Sequence, residues 1–95
     1  MNVTIDDAVC ARSGVFATAI DEELVLLDPK SGQYFGAGPV GVNIWNILSK
    51  HEEGVTVDAV CKEVMQQFEI DPETCRYDVL SFLNDLISRD LIYRL

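Results

Sequence analysis

Ninety-five residues are enough for one small domain, and an apolar fraction of 48% sets the chain apart from disordered tails. Sixteen acidic against seven basic side chains give a formal charge of −9, a field that repels nucleic acid and attracts basic segments. No apolar run approaches the roughly 20 residues that span a bilayer, and Met1-Asn2-Val3-Thr4-Ile5-Asp6-Asp7 lacks the basic start and apolar block of a secretory signal. The expectation is a soluble, cytoplasmic protein with neither membrane nor nucleic acid as partner.

Residues 1–14 show only weak alternation at Val3, Ile5, Val9 and Ala11, so they are expected to form a flexible arm with at most a transient strand, with the domain proper over residues 15–95. Val15-Phe16-Ala17-Thr18-Ala19-Ile20 is rich in β-branched and aromatic residues and reads as a strand. Asp21-Glu22 is a polar turn, and Glu23-Leu24-Val25-Leu26-Leu27-Asp28 a second strand. Asp28-Pro29-Lys30-Ser31-Gly32 is a turn, with proline setting φ early and glycine taking positive φ at its exit. Tyr34-Phe35-Gly36 is a third strand. Two short connections in succession imply an antiparallel meander. No later strand is evident in the sequence to cover the third strand's outer edge. The arm, through Val3-Thr4-Ile5, is the segment able to do so.

The rest reads as helical. Pro39 suits a first helical position, and Val40, Ile44, Ile47 and Leu48 follow at helical spacing up to a polar loop that ends at Gly54. Thr56 is an N-cap candidate for a second helix with the stripe Val57, Val60, Cys61, Val64, Met65 and Phe68. Asp71-Pro72-Glu73 repeats the start chemistry for a third helix to about Arg89. Its apolar residues, Cys75, Val79, Leu80, Phe82, Leu83, Leu86 and Ile87, cover an arc of roughly 160°, against the roughly 100° that a surface helix needs. One margin of that arc is free to face something other than the core. Leu91-Ile92-Tyr93-Arg94-Leu95 is expected to fold back as a cap. The fold class is α+β: a three-stranded antiparallel sheet followed by three helices, similar to a winged helix-turn-helix with its sheet moved to the front.

Catalytic chemistry is hard to assemble from these residues. His51 is the one histidine and lies in a charged loop, where solvent exposure is the ordinary state; without it no Ser/His/Asp or Cys/His set exists. Gly36-Ala37-Gly38-Pro39-Val40-Gly41 imitates a dinucleotide loop, but Pro39 interrupts it and no long crossover surrounds it. Cys10, Cys61 and Cys75 are odd in number and contain no C-x-x-C pair, which argues against a disulfide framework and against zinc. Cys61 and Cys75 fall on apolar helix faces, and Cys10 lies in the segment expected to be loose. No enzyme, cofactor or metal is expected. A winged-helix DNA-binding regulator is an alternative, but the exposed side of helix three carries Glu73, Asp78, Asp85 and Asp90 against Arg76 and Arg89, which disfavours phosphate contact. A subunit that dimerises through its edge strand is another.

From Val25 to Leu91 the chain resembles the PqqD family, the small peptide-recognition proteins also called RiPP recognition elements. The residues that carry the likeness are Leu27-Asp28, Gly32-x-Tyr34, Gly41-x-x-Ile44-Trp45-x-x-Leu48, Thr56-Val57, Phe68, Asp71-Pro72-Glu73, Asp78-Val79-x-x-Phe82-Leu83-x-x-Leu86 and Asp90-Leu91-Ile92. Ala37-Gly38 stands where the family commonly has Leu-Asn, and Asp90 where it has glycine. The resemblance implies a non-catalytic adaptor, monomeric or weakly dimeric. Such a protein binds the leader of a ribosomally made precursor peptide and presents it to modifying enzymes, a lasso-peptide leader protease and cyclase first, a radical-SAM enzyme of quinone-cofactor synthesis second. By that resemblance the leader adds as a strand to the main chain of Gln33, Tyr34, Phe35 and Gly36, with Cys75, Asp78, Val79 and Phe82 as the opposite wall. Side chains alternate along a strand, so only one of Tyr34 and Phe35 faces inward.

Overall fold

The computed structural model describes residues 2–21 and 23–95. The Asp21-Glu22 turn therefore lies partly outside the described residues. Nine elements follow in order: β1 (Ala8–Ala11), β2 (Ala17–Ile20), β3 (Glu23–Leu27), β4 (Tyr34–Ala37), α1 (Pro39–Lys50), β5 (Val55–Thr56), α2 (Val57–Gln67), α3 (Pro72–Ser88) and β6 (Ile92–Arg94). The expected meander is present as the antiparallel sheet β2-β3-β4. Its turn between β3 and β4 is built on Asp28. The Asp28 carboxylate accepts the Lys30 N–H at 2.9 Å, its carbonyl accepts the Gly32 N–H at 2.8 Å, and Gly32 takes φ +74°.

A second antiparallel sheet, β5-β1-β6, was not expected. Val9 pairs with both Val55 and Arg94, and Cys10 pairs with Tyr93. The segment read as a loose arm thus supplies a central strand. The reason is burial. Val9 has no exposed surface, Val3 and Cys10 are nearly covered, and the Val3 N–H donates to Asn84 Oδ1 at 2.8 Å. Val3-Thr4-Ile5 is tied to α2 and α3, with the Ile5 carbonyl accepting the Asp58 N–H, so it does not lie along β4. Buried Cys10 directs its thiol to the Glu52 carbonyl at 3.3 Å. The C-terminal tail folds back as anticipated, and does so as β6, with the Leu95 N–H bonded to the Ala8 carbonyl.

Helix starts follow the capping chemistry. Thr56 accepts the Ala59 N–H at 3.1 Å, and Asp71 accepts the Thr74 N–H at 3.0 Å. Gly38 gives α1 no side-chain cap, and Pro39 begins that helix. Ile44, Leu48, Val57, Val60, Val64, Val79, Leu83 and Leu86 meet in the core with Leu26 of β3, all at 1% exposure or less. At the end of α3, Asp90 takes the left-handed conformation with φ +61°, where glycine is the unstrained choice. Arg12, at 2.6 Å, and Lys30, at 3.4 Å, close on its carboxylate. No helix among the described residues is long and apolar enough to cross a membrane.

Candidate functional site

The site begins with hydrogen-bond alternation. Across β3 and β4 the residues pair as Leu24↔Ala37, Val25↔Gly36, Leu26↔Phe35 and Leu27↔Tyr34. One step beyond, the Asp28 N–H donates to the Gln33 carbonyl at 2.8 Å. In an antiparallel ladder bonded and non-bonded pairs alternate. It follows that Phe35 and Ala37 spend their main-chain groups on β3, while those of Tyr34 and Gly36 point away from the sheet. With the strand order β2-β3-β4, that outer edge has no neighbour among the described residues. Gln33, also expected at this edge, is committed elsewhere: its carbonyl goes to Asp28 and its N–H to Ser31 Oγ at 3.2 Å. The usable edge is therefore Tyr34 and Gly36, a narrower template than the four residues the sequence suggested.

Side chains alternate in the opposite sense. Tyr34 is 69% exposed on the outer face. Phe35 turns inward, half-buried, and stacks on Phe82 of α3 with ring centroids 6.0 Å apart. The Arg89 guanidinium lies 4.4 Å over the Phe35 ring and is held by Asp85 at 3.2 Å. Phe35 is thus the inward member of the pair. Beside these aromatics a groove of about 390 Å³ opens between β4, the first turn of α1, and α3. Its walls include Ala37, Val40, Gly41, Ile44, Asp78, Phe82 and Asp85. Gly41 lets α1 approach β4 closely: a Cβ there would lie 2.5 Å from Ala37 Cβ and 3.3 Å from Phe82 Cζ.

Of the expected helical wall, Asp78 and Phe82 line the groove and Cys75 and Val79 do not. Both of the latter have no exposed surface, and the Cys75 thiol points to the Cys61 carbonyl at 3.5 Å. The 100° step of the helix explains this. Asp78, Phe82, Asp85 and Arg89 fall on one stripe, whereas Cys75, Val79, Leu83 and Leu86 fall on the neighbouring stripe under α2. Burial pushes the Cys61 thiol up to about 11, with its neighbour Cys75 adding to the rise, and burial likewise raises Cys75; both are neutral packing groups at physiological pH. The residues missed from sequence are Ala37, Val40, Gly41, Ile44, Asp85 and Arg89. For the last two, charges one and two turns after the Phe82 position were the available signal.

A cleft of about 340 Å³ lies elsewhere, between the end of β1 and the second half of α1, lined by Arg12, Ser13, Trp45 and Ser49 among others. Its strand, β1, is the central one of its sheet, and its Arg12 is already engaged by Asp90 and by the Tyr93 ring, 5.1 Å away. Among the described residues no group of three or more His, Cys, Asp or Glu side chains is placed to hold a metal ion.

Residues 23–92 match the family model described as Coenzyme PQQ synthesis protein D (PqqD). The chain belongs to the PqqD family. That match spans β3 to the start of β6 and so contains the β4 edge, the first turn of α1 and all of α3. Among solved structures, the PqqD-family chain is similar to TbiB1 in complex with the TbiA(beta) leader peptide. The TM-score is 0.74 with 28% identity, over 87% of this chain and 93% of that one. No curated protein matches it.

Proposed function

We propose that this protein binds the leader segment of a ribosomally synthesised precursor peptide and delivers it to modifying enzymes, without catalysing a step itself. The observation that carries the reading is the unpaired edge of β4 facing α3 across an apolar groove. Strand addition there joins leader amides to the outward N–H and C=O groups of Tyr34 and Gly36, and every second leader side chain enters the groove beside Phe35 and Ala37. Support comes from the TbiB1 structure, similar over most of both chains and solved with a leader peptide. The receiving enzyme in this reading is a lasso-type leader protease and cyclase, with a radical-SAM enzyme as second choice. In this reading β1 belongs to the binding domain, because Val3 and Val9 sit in its core.

The test is fluorescence anisotropy with a labelled leader segment from a precursor encoded beside this chain. Gly36→Pro removes one outward N–H and leaves the bonds between β3 and β4 in place, since proline is tolerated on an edge strand. Binding is expected to weaken by about three- to tenfold, on the scale of one lost hydrogen bond at about 1.4 kcal/mol per decade. A Gly36→Pro protein that keeps its circular dichroism and binds as wild type would sink the edge-strand mode. The same open edge also suits self-pairing. Gel filtration from micromolar to millimolar concentration separates the two, because a dimer would compete with the peptide.

A further inference from the structure

The groove is not uniform along its length, and its two ends differ in both space and charge. At the Phe35 end the wall is built of large side chains, with Phe82 stacked on Phe35 and Arg89 over the ring. At the Ala37 end the wall is built of small side chains, a single methyl with Gly38 and Gly41 beside it. The carboxylates divide in the same way. Asp85 is paired with Arg89. Asp78, on the groove rim, has no cation within salt-bridge distance among the described residues. Nor does the chain have a ready one to give. Six of its seven basic side chains already meet carboxylates: Arg12, Lys30, Lys50, Lys62, Arg89 and Arg94. The seventh, Arg76, is two residues from Asp78, about 200° around α3.

We infer that, within the leader-binding reading on which this rests, the groove selects a segment with one bulky apolar side chain beside Ala37 and a lysine or arginine within about three positions of it, paired with Asp78. The spacing follows from geometry. Inward positions of an added strand recur every ~6.6 Å, so a long cationic side chain two positions from the apolar anchor points into the same groove, whose rim carries Asp78. The pair is half-exposed, so it sharpens selection more than it adds affinity.

The experiment is selection of a random dodecapeptide display library on the intact protein, on Asp78→Asn and on Ala37→Leu, with immobilised albumin as the blank. Asp78 is exposed and Asp→Asn keeps its shape, so folding is retained, as circular dichroism will check. Wild type is expected to enrich peptides with a bulky apolar residue and a nearby cation. Asp78→Asn should keep the apolar preference and lose the basic one, and Ala37→Leu should lose the apolar preference. For one enriched peptide, Asp78→Asn should raise Kd about two- to fivefold at low salt and flatten its salt dependence. Apolar enrichment with no basic preference in wild type, or an equal one in Asp78→Asn, overturns this inference and leaves leader binding standing. No enrichment above albumin overturns both.

Discussion

Gly41→Ala sets two opposed effects against each other. Replacing glycine by alanine in a helix gains at most about 1 kcal/mol of propensity. Against this, the new Cβ would stand 2.5 Å from Ala37 Cβ, a carbon attached directly to the β4 backbone, and 3.3 Å from Phe82 Cζ. Carbon atoms prefer separations of about 3.5–4.0 Å, so β4 and the first turn of α1 must separate by on the order of 1 Å. Ala37 has no rotamer with which to yield. Overpacking of this kind costs about 1–3 kcal/mol, which leaves a net loss of about 1 kcal/mol, or roughly 4–8 °C in Tm for a domain of this size. Urea unfolding followed by circular dichroism should show a lower midpoint with an unchanged m-value. Ala37→Gly removes the opposing atom, so the double variant should recover about 1 kcal/mol relative to the sum of the singles. A Gly41→Ala protein more stable than wild type, or a cycle without coupling, would refute the close-approach argument. Peptide affinity should fall in the single variant, because β4 and α1 are both walls of the groove.

Val9→Ala should cost about 2 kcal/mol in urea unfolding, because Val9 is fully buried in the central strand of the second sheet; a change near zero would mean that the first 14 residues do not hold the core. Val79→Asp should abolish cooperative unfolding, since it puts a charge where no surface is exposed. Phe82→Ala, half-buried at the groove, should cost about 2 kcal/mol, remain folded and lose peptide. Hydrogen bonds hold two carboxyls below the ordinary value of 3.8, from Thr74 to Asp71 and from Arg12 to Asp90. Their stabilisation is full above that value and lost as pH falls through the lower folded one, so the acid limb of the urea midpoint should flatten in Asp71→Asn and Asp90→Asn. At the other extreme, the Cys61 thiol rises from 9.0 to about 11 on folding. The unfolded chain releases that proton first, so stability should decline from about pH 9 upward, and Cys61→Ala should remove that part of the slope. Iodoacetamide at pH 8 should leave the three buried cysteines unmodified until urea is added.

What was legible from sequence was local. The Asp28-to-Gly32 turn, Thr56 and Asp71 as caps, Pro39 as a helix start and the apolar stripe of each helix depend on residues within a few positions of one another, and the structure bears them out. The second sheet depends on Val9 meeting Arg94 and Val55. Those contacts join short strands far apart in the chain, too brief for periodicity to register. Cys75 and Val79 were misplaced because an arc of 160° gives the width of an apolar face and not the neighbour against which each margin rests. α2 packs over the Cys75 and Val79 stripe, which leaves Phe82 to the groove.

An unpaired edge is ordinarily a route to aggregation, and the chain narrows this one in three ways. β4 is four residues long, and alternation leaves outward main-chain groups only at Tyr34 and Gly36. Gly38-Pro39 then turns the chain into α1, so no longer strand can zip along it. A second copy of this chain brings another −9 to the contact, whereas a basic peptide brings the opposite sign. A segment that pairs with so short an edge gains few hydrogen bonds, so side chains in the groove must supply the remaining affinity and the choice of register. The small-residue wall at Ala37 and Asp78, which meets no cation among the described residues, are therefore where a substitution should alter which peptide is held, and Phe35 under Arg89 is where it should alter stability more than choice.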